Sequence, residues 1–403
     1  MLKNERKILV GNHELIKYIN KKNVLDTIFH EKEISRIEIS KRVKLAIPTV
    51  MRIVDEFIHD GLVSEIGKGN STGGRKPNML SINPDARYFL VAAISESAHC
   101  VVADLGGKIL GDYELAINFS GQEDFILAQL KNCMGQAIEK SGLSIGDIAY
   151  CGIATPGMGF KYFTAGRIGH VFGYWSKLSI DFFKKKGNFE YPVVIENIAK
   201  MGALGELKYG RGKDLNSYLF IYAGVGIGMG VVRNGNLELG VTGTAGEFGH
   251  TTIDYNGQEC YCGNRGCIES YCSTIAFCRE YKRELINNGF NTGRDYSISD
   301  IAEAVKNGEY FAVKVARRIG VLLGIGLANV INLYNPAAVF VGGELCAIPL
   351  CIETAFEEAE KHIFMNASRE VSFLMSSVES QVITMGTLGY AIENYFDEYC
   401  TLC

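Results

Sequence analysis

The sequence predicts an α/β protein in two unequal parts: a small helical head that ends in a two-stranded wing, and a larger body of two lobes around a cleft. Three observations predict it. Residues ahead of the break "KGNSTGGRKPN" (68–78) read as short helices joined by turns. After Pro84 short apolar strands ("YFLVAAI", "HCVVADL", "YPVVIEN", "SYLFIYAG", "AAVFVGGEL") are separated by helical stretches such as "EDFILAQLKNCMGQAIEK". Two Gly-rich strand-turn segments, Ala223–Gly230 and Val341–Glu344, lie far apart in the chain, which fits one for each side of a cleft.

The bulk numbers agree with several domains. A chain of 403 residues can bury two or three full cores. The net charge of −4 excludes a polyanion binder that works through its whole surface. The charge is uneven, however: Met1–Leu80 holds 15 Lys+Arg against 10 Asp+Glu. A basic head on an acidic body suits a DNA-reading module joined to something else. The start has no secretory pattern, and no apolar run reaches bilayer length. Twelve cysteines without an export signal point to the reducing cytoplasm, with no membrane partner.

The head is the first element. "SRIE" (Ser35–Glu38) has the form of a capping box, followed by apolar Ile39, Val43 and Leu45. A second helix opens at "LAIPTVMRIVDEF", where Pro48 is tolerated in the first turn. Ile47, Val50, Ile53, Val54 and Phe57 form the expected buried stripe, and Thr49 and Arg52 fall on the other face. Two short, tightly joined helices of this kind make a helix-turn-helix. "DGLVSEIGKG" and "GGRKPNMLSI" then read as the wing. At its tip Arg75 and Lys76 could enter a narrow minor groove, where the potential is most negative.

The body carries one dense cluster. Cys260, Cys262 and Cys267 have the spacing C-x-C-x4-C, and His250 lies just upstream. Gly263 and Gly266 permit a turn that aims all three sulfurs inward. Three thiolates and an imidazole form a closed tetrahedral zinc site of the structural type. Unrelated thiols in a loop would need neither that spacing nor those glycines. Cys100, Cys133, Cys151, Cys272, Cys278 and Cys346 sit in apolar or helical settings and read as packed thiols.

With these residues in place the chain resembles the ROK family of repressors and sugar kinases, from about Leu15 onward. The resemblance rests on "GEFGH" (Gly246–His250), "CYCGNRGCIE" (Cys260–Glu269), "TPG" (Thr155–Gly157), "IEN" (Ile195–Asn197) and "GVGIGMG" (Gly224–Gly230). The "STGGRKP" wing matches the repressor branch. The resemblance implies a winged helix-turn-helix over residues 1–80 and an actin-like, ribonuclease-H-like body. The body's first lobe would span 81–198 and its second, with the zinc loop, 199–383. The last helix, at about 384–403, would return to the first lobe. A sugar would lie between the lobes, held by Asn197, Glu247, His250 and Glu269, with Ile198 beside them. His250 would then face zinc with one ring nitrogen and the sugar with the other.

Departures from the family pattern separate two readings. A ROK kinase carries Asp directly after the "EN" asparagine to accept the sugar's proton; here that residue is Ile198, which accepts none. The kinase's first phosphate loop has the form D-x-G-G-T, and here Ala93, Ser95 and Glu96 take the Asp and Gly places. A carboxylate there repels phosphate and side chains block backbone approach. The expected function is therefore a sugar-responsive transcriptional regulator without catalysis, acting on operator DNA as a homodimer or dimer of dimers. The alternative is a sugar kinase with an accessory head. A zinc hydrolase fails on the closed ligand set. The expected effector is a pentose such as xylose, or a 6-deoxyhexose.

Overall fold

In the computed structural model the described residues are 13–69, 76–117, 123–157, 187, 189–290, 292–364, 370–376 and 379–402. The head begins with helix α1 (His13–Glu31), strand β1 (Ile34–Ser35), α2 (Arg36–Val43) and α3 (Ile47–His59). It closes with β2 (Val63–Lys68) and β3 (Asn78–Ile82), in the sheet order β1-β3-β2. The expected capping box forms: Glu38 N–H donates to Ser35 Oγ at 3.3 Å, and Ser35 N–H donates to the Glu38 carboxylate at 2.9 Å. Pro48 lies in the first turn of α3, and Val50, Ile53, Val54 and Phe57 are buried. Ile47 departs from the expected stripe at 43% exposed. It is the first helical residue, ahead of the turns that pack on the head's core.

The body repeats one topology twice. The first lobe has β4 (Tyr88–Ile94), β5 (Ser97–Asp104), β6 (Ile109–Ala116), α4 (Glu123–Ser141), β7 (Ile148–Thr155) and β8 (Val193–Asn197). Its sheet runs β6-β5-β4-β7-β8, antiparallel among the first three strands and parallel among the last three. Helix α5 (Ile198–Lys208) follows β8 without a loop. The second lobe has β9 (Ser217–Ala223), β10 (Ile227–Arg233), β11 (Asn236–Leu237), β12 (Ala338–Gly342) and β13 (Ser372–Met375). Its order, β11-β10-β9-β12-β13, repeats the antiparallel and parallel pattern. The helices of this lobe are α6 (Glu269–Cys272), α7 (Thr274–Asn287), α8 (Ile298–Lys306), α9 (Tyr310–Tyr334) and α10 (Pro349–His362).

The last helix, α11 (Glu379–Leu402), ties these parts together. It crosses α5 at backbone distance: a Cβ on Gly386 would strike the Met201 carbonyl, and one on Gly205 would strike that of Val382. Only glycine allows so close a crossing. Farther along, Leu388, Ala391, Ile392 and Phe396 share one core with Phe89, Val91 and Tyr150 of the first lobe. The same core contains Val24, Leu25, Ile28, Ile53 and Phe57 of the head. Head and first lobe are thus packed together, not strung on a linker.

Candidate metal centre and ligand cleft

His250 ends a single 3-10 turn (Phe248–His250), and the three cysteines come from the loop that follows. Cys260 N–H donates to the Asn264 carbonyl at 2.8 Å and Gly263 N–H to the Cys260 carbonyl at 2.9 Å. Gly263 and Gly266 adopt φ of 92° and 70°, as the spacing predicts. His250 Nδ1 lies 3.7 Å from Cys260 Sγ, and Cys262 Sγ lies 3.7 Å from Cys267 Sγ. All four donor atoms fall within 4.8 Å of one another. A tetrahedron with Zn–S bonds of about 2.3 Å has edges of roughly 3.8 Å, so the donors fit zinc. The sulfurs are too far apart for a disulfide. Of the six cysteines read as packed, Cys100, Cys133, Cys151 and Cys272 are buried and Cys278 and Cys346 half-buried.

The metal loop runs directly into the cleft. Glu269 opens α6 two residues after Cys267. Its Oε2 accepts from the Ile227 N–H at 2.8 Å, whereas Oε1 is buried without a well-formed hydrogen bond. The Tyr261 hydroxyl bonds toward the same carboxylate and holds its proton affinity down. Glu247 stands at the start of the His250 turn. Burial raises the carboxyls of both glutamates, and His250 opposes the rise in each. Their mutual repulsion adds to the rise in Glu247, and Lys200 opposes it.

His250 faces the sulfurs with Nδ1 and turns Nε2 to the Tyr261 hydroxyl, 3.3 Å away. Tyr261 alternates with Cys260 and Cys262, so the turn that gathers the sulfurs also sends this ring toward the cleft. That alternation was the available signal for a residue the sequence reading passes over. Asn197 is held firmly: its Oδ1 caps α5 by accepting from Ala199 N–H at 2.9 Å, and its Nδ2 donates to the Gly157 carbonyl at 2.9 Å. Thus the "IEN" and "TPG" segments meet. Ile198 is 2% exposed and shares a core cluster with Ala93, Ala154 and Val225. Its packing must loosen before a ligand touches it.

A second cluster lies where the turn after β4 meets the second lobe. Ala93 is buried one residue before the end of β4, and Glu96 lies in the following turn. Thr274 of the second lobe donates to Glu96 at 3.1 Å. Glu344 accepts from the Tyr222 hydroxyl at 2.8 Å and lies so close to Gly224 that a Cβ there would strike it. Burial raises the Glu96 carboxyl, and the Glu344 charge raises it further. Glu344 against Gly224, with Glu96 close enough to feel its charge, opposes a polyphosphate there.

On the head, Thr49 is half-buried on α3 and Arg52 is exposed, paired with Glu56 at 2.7 Å. Lys76 is exposed where the wing re-enters β3. Arg75 lies outside the described residues. The structure therefore gathers Glu247, His250, Glu269 and the cysteines on the body, places Asn197 at the start of α5, and sets Thr49, Arg52 and Lys76 on the head.

The ROK family profile matches residues 96–393. A xylose repressor of Caldicellulosiruptor bescii is 29% identical over 97% of this chain and 100% of its own length. A xylose repressor of Bacillus subtilis is 28% identical over 96% of this chain and 98% of its own. A solved ROK family transcriptional regulator, described as a homologue of the Escherichia coli Mlc protein, superposes with a TM-score of 0.73. It is 24% identical, over 96% of this chain and 99% of that one.

Proposed function

Because the chain belongs to the ROK family, we propose that it is a sugar-responsive transcriptional repressor whose effector binds between the lobes. The observation that carries this reading is the packing of a winged helix into the same core as the body. A head so joined reports on the body's conformation. Residues 1–80 serve as the DNA-binding domain, 81–198 with the last helix as the first lobe, and 199–383 as the second. Full-length similarity to two xylose repressors supports the regulatory role and a pentose-class effector.

The cleft does not serve phosphoryl transfer. Ile198 accepts no proton, Glu344 crowds the Gly224 turn a nucleotide would need, and Glu96 adds a second carboxylate nearby. His250, Cys260, Cys262 and Cys267 hold one zinc ion. With four protein ligands it supplies structure, holding His250 Nε2 and Glu269 in position. Glu247, Glu269 and His250 then receive the sugar's hydroxyls. Among the described residues no helix is long and apolar enough to cross a membrane.

Sugar binding favours a lobe arrangement that misfits the operator, and release follows from that differential affinity. The repressor acts as a symmetric dimer, with two heads on two half-sites. The test is operator binding by fluorescence anisotropy at fixed salt, with and without xylose. Xylose is expected to weaken operator binding. Operator affinity indifferent to every unphosphorylated sugar that raises the melting temperature would overturn the reading.

A further inference from the structure

We propose that Lys200 is a positioning residue for the effector: its buried ammonium latches the Gly240–Ala245 loop beside the cleft and so fixes Glu247. The proposal rests on the effector reading given above.

Lys200 lies in the first turn of α5, three residues after Asn197, whose side chain also accepts from the Lys200 N–H at 3.4 Å. The residue is only 3% exposed. A buried ammonium is costly unless it is paired and hydrogen-bonded. Two partners meet that need. Glu196, four residues back in β8, lies 3.3 Å from Nζ, and the Gly243 carbonyl accepts a second bond. The charge is balanced by Glu196 at the end of the first lobe, and the hydrogen bond ties the Gly243 loop to α5.

The loop that receives this bond is held loosely. Gly240, Gly243 and Gly246 adopt φ of 72°, 78° and 92°, and Val241 is fully exposed at the tip. Among the described residues the tip's other hydrogen bonds are internal. Gly243 N–H reaches the Gly240 carbonyl, Ala245 N–H the Leu239 carbonyl, and the hydroxyls of Thr242 and Thr244 meet at 2.7 Å. The chain then passes through Gly246, whose carbonyl accepts from Met229 N–H at 3.1 Å, straight into Glu247. Lys200 at Gly243 and Met229 at Gly246 together hold the segment that enters Glu247. Lys200 also places a positive charge near that carboxylate.

A long, flexible stem with a point charge suits a latch that must open and re-form. The geometry requires a residue that reaches across from α5, so Arg can replace Lys and an apolar isostere cannot.

The test uses the full chain with Lys200→Met, Lys200→Arg and, should Lys200→Met not fold, Lys200→Gln. In the first arm, without sugar, elastase cuts within residues 239–246 are timed by mass spectrometry. Loss of a buried charged hydrogen bond is expected to speed cutting by roughly tenfold or more in Lys200→Met, with Lys200→Arg near the parent. Equal cutting in parent and Lys200→Met overturns the latch, whatever the sugar. In the second arm calorimetry with xylose is expected to show binding weakened by about tenfold in Lys200→Met and restored in Lys200→Arg. Undiminished xylose binding by a Lys200→Met protein whose loop is cut faster overturns the positioning role. A parent protein that binds no sugar overturns the effector reading and the positioning role with it; the elastase arm judges the latch separately.

Discussion

The Phe29 ring meets the Phe396 ring edge-on, with centroids 5.5 Å apart, and so joins the head's first helix to the last helix of the chain. Polar contacts flank it. The Tyr18 hydroxyl donates to Asp397 at 2.9 Å, Lys22 Nζ lies 3.0 Å from Asp397, and Tyr399 donates to Asp60. The same helix crosses α5 through Gly386 and Gly205, and α5 begins at the cleft with Asn197 and Ile198. Cleft and head are therefore linked by two rigid helices in direct contact. Contiguity makes a route available; coupling must be measured as a change in affinity.

Phe396→Ala is expected to destabilise the chain by about 3–5 kcal/mol, because the ring is 1% exposed and its loss leaves a cavity shared by head and lobe. Chemical denaturation followed by a head probe and a body probe should give coincident midpoints for the head and first lobe. A head that melts separately in the parent protein would contradict the shared core.

Cys262→Ser should lose the metal. Elemental analysis of the parent is expected to find one zinc per chain, and of the variant none. The loop should then lose its hold on His250 and Glu269, so sugar binding should fall together with the metal content. Stoichiometric zinc retained by Cys262→Ser would remove that residue from the ligand set.

Much of this was legible in the sequence because it is local. The Ser35–Glu38 capping box, the Pro48 helix start and the turn glycines of the metal loop are set by residues within a few positions of each other. The clustering of His250, Cys260, Cys262 and Cys267 was legible from spacing for the same reason. The Lys200–Gly243 bond and the head–α11 core were not, since their partners lie 43 and several hundred positions apart. A lysine inside a helix reads as a solvated residue, and only the tertiary fold buries it. Ile47 was misplaced because periodicity says which face is apolar and not where the neighbouring helix ends.

Arg52→Ala is expected to weaken operator binding by roughly 1–3 kcal/mol at a stated salt concentration, if the side chain reads a base edge. Its pair with Glu56 does not hold it back, since exposed helix pairs of this kind contribute about 0.3–0.5 kcal/mol. Arg75→Ala should weaken binding most on operators with A/T-rich flanks. Anisotropy with matched operator variants measures both, and unchanged affinity in the two variants would remove the assignment.

Glu96 gives a pH dependence of defined sign. Its folded carboxyl is raised above the ordinary value of 4.5, by burial first and by Glu344 second. Its contribution to stability is full below the unfolded value and is lost as pH rises through the raised folded value. Glu96→Gln, which can still accept from Thr274, should therefore be more stable than the parent at about pH 7, and the gap should close toward about pH 4. Parallel denaturant midpoints across that range would show that Glu96 carries no such penalty.

The effector should be a sugar without a hydroxymethyl group at the end nearest Ile198. In the family this position faces the far end of the sugar, where a kinase grips the exocyclic hydroxyl. Here it is a branched apolar side chain that shares a core cluster with Ala93 and Ala154, at the ends of two strands that border the cleft. A hydroxyl buried there without a partner costs about 1–3 kcal/mol, a penalty of several-fold to over a hundredfold in affinity. A pentose presents only ring CH2 and a 6-deoxyhexose a methyl, and either gains by contact with Ile198 once its packing loosens. Glu247, His250 and Glu269 still receive the remaining hydroxyls, so the discrimination concerns one end of the ring. Calorimetry is expected to rank xylose and 6-deoxy sugars above glucose. The variant Ile198→Asp, measured well below its melting temperature, is expected to shift preference toward glucose by restoring an acceptor at that end. Glucose binding as tightly as xylose in the parent protein would place the sugar away from Ile198 and leave that side chain a purely structural part of the core.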